Sequence, residues 1–129
     1  MSQAEYDDPP LWMLRPFAPY PGAVLGPAAA IPDGAAKEYR FGFGPVAFRM
    51  FVVRTGEALR GYVNQCPHSN MPLNQQPDDF LTPDGDLLLC SQHLALFRIE
   101  DGACLYGPCE GRSLVPIGLI VRDGQIQIA

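Results

Sequence analysis

The sequence predicts an all-β, antiparallel β-sandwich, and three observations carry that prediction. Asp101-Gly102 and Asp123-Gly124 each lie between short runs of alternating apolar residues, among the strongest short-range signals of a hairpin. The apolar runs are brief, rich in Val, Ile, Phe and Tyr, and broken by turn residues every several positions. No stretch carries a helical apolar period, and no repeat of solenoid length is present.

Residues 1–36 read as a proline-rich N-terminal arm. Pro9, Pro10, Pro16, Pro19, Pro21 and Pro27 forbid a helix or a central strand. Leu11, Trp12, Met13, Leu14, Phe17 and Tyr20 make the arm too apolar to hang free. We expect residues 11–25 to pack across the domain or against a partner. Strands are expected at 40–43, 46–54 and 59–64, with a turn at Thr55-Gly56. Further strands are expected at 87–90, 95–99, 104–106, 119–122 and 125–128.

At 129 residues the chain fits one domain with a modest core. Fourteen acidic residues against nine basic ones give a net charge of −5, so a phosphate-neutralising patch is missing and nucleic acid is excluded as a partner. No apolar run is long enough for a membrane span. The acidic, proline-rich N-terminus lacks the pattern of a signal peptide, so a cytoplasmic protein is expected.

The chemistry lies in Cys66, His68, Cys90 and His93. Cys66-Pro67-His68 and Cys90-Ser91-Gln92-His93 are separated by 21 residues, and the chain has only these 2 histidines. Two thiolates and two imidazoles are the donor set of a [2Fe–2S] cluster with one iron on cysteine and the other on histidine. Sorting by donor type puts Cys66 and Cys90 on one iron, His68 and His93 on the other. Neutral imidazoles remove negative charge from the cluster and raise its electron affinity. Their N–H groups allow reduction to couple to proton uptake. Structural zinc also accepts two cysteines and two histidines, but zinc fingers group like with like, whereas here each pair is mixed.

This pattern resembles the Rieske motif, Cys-x-His followed by Cys-x-x-His, and the resemblance extends over roughly residues 37–129. Asn64-Gln65-Cys66-Pro67-His68 with Leu73 resembles its first cluster loop. Cys90-Ser91-Gln92-His93, with Phe97 and Asp101-Gly102, resembles the second, and Gly107-Pro108 falls where a proline loop covers the cluster. The resemblance implies a Rieske [2Fe–2S] domain at 37–129, with a cluster-binding subdomain at about 65–111 on a base made by 37–64 and 112–129. It implies one [2Fe–2S] cluster per chain.

Departures from the family pattern bear on potential. The cysteines of the disulfide that ties the loops in high-potential members would fall at Met71 and Gln92. The hydroxyls that donate to cluster and cysteine sulfur there would fall at Ala95 and Phe97. Without those donors the reduced cluster is less stabilised, and a potential near about −150 mV is expected. Residues 75–83 read as an insert, and Asp78, Asp79, Asp84 and Asp86 fall between the ligand pairs, placed to lower the potential or guide docking. Cys104 and Cys109 either close a small disulfide or remain reduced thiols, the default in a reducing compartment.

The resemblance implies a non-catalytic electron carrier between a flavin reductase and an oxygenase or other acceptor. The alternatives are an accessory subunit resembling the small Rieske-like subunit of assimilatory nitrite reductases, or a structural zinc module. An oxygenase active site is not expected, because no further histidine exists to hold a mononuclear iron.

Overall fold

The computed structural model describes residues 10–67, 69–91 and 94–129. Among these residues ten strands follow in order: β1 (Val24–Pro27), β2 (Ala36–Phe41), β3 (Phe48–Thr55), β4 (Ala58–Val63), β5 (Leu87–Cys90), β6 (Ala95–Arg98), β7 (Cys104–Tyr106), β8 (Pro116–Ile117), β9 (Leu119–Arg122) and β10 (Gln125–Ile128). They form three sheets ordered β1-β10-β9, β2-β3-β4-β8 and β5-β6-β7, with every pairing antiparallel. The only helical turns among the described residues are three short 3₁₀ segments. None of the helices is long and apolar enough to cross a membrane.

β3 organises the core because it is buried on both faces, which is why it reads as a near-continuous apolar run. Its side chains alternate. Phe51 and Val53 face a cluster that holds Tyr62, Phe80, Leu88, Phe97 and all four cysteines. Phe48, Met50 and Val52 face a second cluster with Trp12, Ile31, Ile126 and Ile128. The Tyr62 hydroxyl donates to Ile99 O at 2.5 Å, joining β4 to the turn after β6, and burial pushes this phenol up to about 12.

The arm is more ordered than its prolines suggest. Trp12 is buried against Phe48 with ring centroids 5.7 Å apart, and Phe17 lies 5.3 Å from Phe43. Val24–Pro27 pairs with β10 as an edge strand, with a register shift between Val24 and Gly26, a position where proline is tolerated. Arg54 donates to Ala28 O at 2.7 Å and to Ile31 O at 2.5 Å, tying this segment to β3. The start of β3 also differs from expectation: Pro45 sits in a 3₁₀ turn at Gly44–Val46, so the strand begins at Phe48.

Candidate metal centre

β4 delivers the chain into the first cysteine loop and β5 into the second. Cys66 and Cys90 are both fully buried in the same apolar cluster. Each opens the same kind of turn: Asn70 N–H donates to Cys66 O at 2.8 Å, and Leu94 N–H donates to Cys90 O at 2.9 Å. Asn70 and Leu94 both hold left-handed backbone, with φ of 60° and 56°. Asparagine tolerates that conformation, whereas for leucine it costs roughly 1–2 kcal/mol. Strain of this kind persists only where surrounding structure imposes it, and it gathers at functional sites. Cys66 N–H donates to Met71 O at 2.8 Å, and Ser91 N–H donates to Leu73 O at 2.9 Å, so the two loops are joined. The imidazole candidates His68 and His93 lie outside the described residues, as does Gln92.

A polar network behind the first loop fixes its position. Asn64 is the one buried polar residue among those described. Its amide donates to Glu38 Oε2 and to Asn74 Oδ1, both at 2.8 Å, and its Oδ1 accepts from Leu73 N–H at 2.8 Å. Arg49 grips Glu38 through Nε and Nη2 at 2.5 and 3.1 Å, a forked pair. Burial raises the Glu38 carboxyl, but Arg49, Asn64 and Asn74 together outweigh it and hold the group below its ordinary range. Three hydrogen bonds thus run from Glu38 through Asn64 and Leu73 to Ser91, beside Cys90. Two guanidinium groups bracket Cys66: Arg15 Nη2 donates to Gln65 Oε1 at 2.6 Å, and Arg112 Nη1 donates to Pro67 O at 3.0 Å. The sequence reading missed Glu38, Arg49, Asn74, Arg15 and Arg112. Their partners lie 10 to 50 positions away, so no local pattern marks them.

Ala95 stands directly across the β5–β6 ladder from Cys90, and Phe97 lies across from Leu88. Both are fully buried, and neither carries a hydroxyl. Gly107, at φ 111°, backs onto Ala95 so closely that a Cβ there would lie 2.9 Å from Ala95 Cα. The Cys104 and Cys109 sulfurs are 2.7 Å apart, and burial, then the contact with Cys104, pushes the Cys109 thiol up to about 12. The insert is anchored to the base: Phe80 stacks on Phe51 at 4.2 Å and 15°, and Asp78 Oδ1 accepts from Glu38 N–H at 2.7 Å.

Ionised sulfur inside an apolar core is costly without a compensating cation. Two fully buried cysteines on shaped, mutually bonded loops therefore fit the sulfur side of a cluster, and this β-structure with its paired cysteine loops has the form of an iron–sulfur domain. A model of the Rieske [2Fe-2S] domain matches residues 24–122, and the chain belongs to that family. Its cofactor is the family's [2Fe–2S] cluster.

Among solved structures, the ferredoxin of carbazole 1,9a-dioxygenase from Nocardioides aromaticivorans IC177 is similar, with a TM-score of 0.62 at 20% identity over 87% of this chain and 97% of that one. The Sphingomonas yanoikuyae B1 ferredoxin gives a TM-score of 0.61 at 20% identity, covering 83% and 96%. The terminal oxygenase of carbazole 1,9a-dioxygenase from Novosphingobium sp. KA1 gives 0.62 at 13% identity, over 84% of this chain but only 28% of its own. These likenesses show the fold. No curated sequence gives a significant match.

Proposed function

We propose that this chain carries single electrons from a flavin reductase to an oxygenase-type acceptor, at a potential near about −150 mV. In this reading Cys66 and Cys90 hold one iron, and His68 and His93 the other. When bound, the [2Fe–2S] cluster takes up and gives back one electron. Residues 65–111 form the cluster-binding unit, and the remainder is the base that positions it through Glu38, Arg49 and Asn64.

The observation that carries the reading is the pair of buried cysteines on matched, hydrogen-bonded turns in a Rieske-family chain. The ferredoxin likeness spans nearly all of the similar protein, and in the carbazole 1,9a-dioxygenase system ferredoxin and oxygenase form a complex. These 129 residues contain no histidine beyond His68 and His93 for a second iron. Met71 and Leu94 stand 48% and 64% exposed on the two loops, apolar contacts suited to a protein acceptor. At position 95 and position 97 the missing hydroxyls leave the reduced state with fewer donors, which favours a low potential.

The test is a potentiometric titration of the iron-loaded protein. One electron per chain with a midpoint in the lower part of the Rieske range is expected. A midpoint above about 100 mV would overturn the low-potential carrier.

A further inference from the structure

We propose that Cys104 and Cys109 are a redox modification site: the pair forms an internal disulfide that fastens the loop lying over both cysteine loops. The sulfurs already touch at 2.7 Å, with Cys104 8% and Cys109 1% exposed. The backbone brings them together independently of the sulfurs. Cys104 N–H donates to Arg112 O at 2.9 Å, Arg112 N–H to Cys109 O at 3.0 Å, and Glu110 N–H to Gly107 O at 3.3 Å. These bonds close a ring from 104 to 112, so the thiols meet without rearrangement.

The same ring reaches both cysteine loops. Arg112 Nη1 binds Pro67 O beside Cys66, and Gly107 packs on Ala95, the ladder partner of Cys90. A covalent link across the base of the ring therefore holds both contacts together. With Cys66 and Cys90 committed to iron, as the proposed function has it, this is the one disulfide that the chain's 4 cysteines allow.

The oxidant is a small-molecule disulfide such as glutathione disulfide. Cys104, the more exposed thiol, gives up its proton and attacks one sulfur, and a glutathione thiol leaves. Cys109 then gives up its proton, attacks the Cys104 sulfur of the mixed disulfide, and releases the second glutathione. The two protein thiols lose two electrons and two protons, and glutathione disulfide gains them as two thiols. The second step is intramolecular across a short loop, which favours closure over the mixed disulfide.

The test starts with holoprotein equilibrated anaerobically in glutathione buffers of rising oxidised fraction. Acid quenching, alkylation in denaturant and tryptic digestion follow. Trypsin separates the cysteines cleanly, since residues 99–112 carry Cys104 and Cys109 while residues 61–98 carry Cys66 and Cys90. The expected result is a 99–112 peptide that is unalkylated and lighter by two hydrogens in oxidising buffer, reverting with excess reduced glutathione. In a parallel arm, removal of iron by a chelator should slow several-fold once the disulfide has formed, and Cys104→Ser should abolish that response. A 99–112 peptide alkylated at both cysteines in every buffer overturns the proposal, as does an unchanged chelation rate after the disulfide has formed. The visible spectrum of the same sample reports separately on the cluster, so failure of the cluster assignment leaves the peptide result standing.

Discussion

Ala95 sits opposite Cys90 without a hydroxyl, and under the proposed function that single side chain sets part of the energy of the extra electron. Ala95→Ser adds a donor beside Cys90, the residue that the proposed function places on iron. One hydrogen bond of about 1 kcal/mol corresponds to on the order of 40 mV for a one-electron couple, so a rise of that size is expected by protein-film voltammetry. Leu94 is the strained member of the two matched turns, and its side chain is mostly exposed. Leu94→Asn keeps the turn while relieving the backbone, so denaturant unfolding should show equal or greater stability, by up to about 1 kcal/mol. Asn64→Ala strands the buried Leu73 N–H and Glu38, costing roughly 1–3 kcal/mol in the same assay and speeding loss of the cluster. Cys66 and Cys90 stand out in the sequence because the Cys-x-His and Cys-x-x-His spacing is local, and the fold buries both in one cluster. Asn64 was legible only as a neighbour of Cys66, since its partners Glu38 and Asn74 are brought to it by β2 and by the chain just ahead of the insert.

The hairpins at Asp101-Gly102 and Asp123-Gly124 appear where the turn chemistry puts them, and β5, β7, β9 and β10 coincide with the apolar runs. β1 was not legible, because proline density argues against a strand and only pairing with β10 creates one. β8 spans two residues beside Gly61 and Tyr62, too short for any periodicity to mark. The insert was visible as excess length between the ligand pairs, but its destination was not. Phe80 could have read as a loop aromatic; it is instead 1% exposed and stacked on Phe51 in the central sheet. Phe80→Ala should therefore cost about 3–5 kcal/mol in denaturant unfolding, the loss expected of a core aromatic.

The chain as a whole is acidic, yet the first cysteine loop is bracketed by Arg15 and Arg112. Net charge is legible from composition; where the compensating arginines gather is a property of the fold alone. Acid stability follows from two carboxylates whose folded pKa values are depressed. Arg98 and the Ala103 N–H hold Asp101 down from its ordinary 3.8 to about 2, and Glu38 is lowered by its network. Depressed carboxylates contribute stability above their unfolded pKa and lose it as pH falls through the folded value. The unfolding temperature should hold down to about pH 4 and fall toward pH 2, with a shallower fall in Glu38→Gln. The central claim, mixed cysteine and histidine ligation of one [2Fe–2S] cluster, meets its most direct test in low-temperature EPR of the reduced, iron-loaded protein. A rhombic signal that disappears in His68→Ala and in His93→Ala is the expected result; a colourless, EPR-silent protein with one zinc per chain would contradict it.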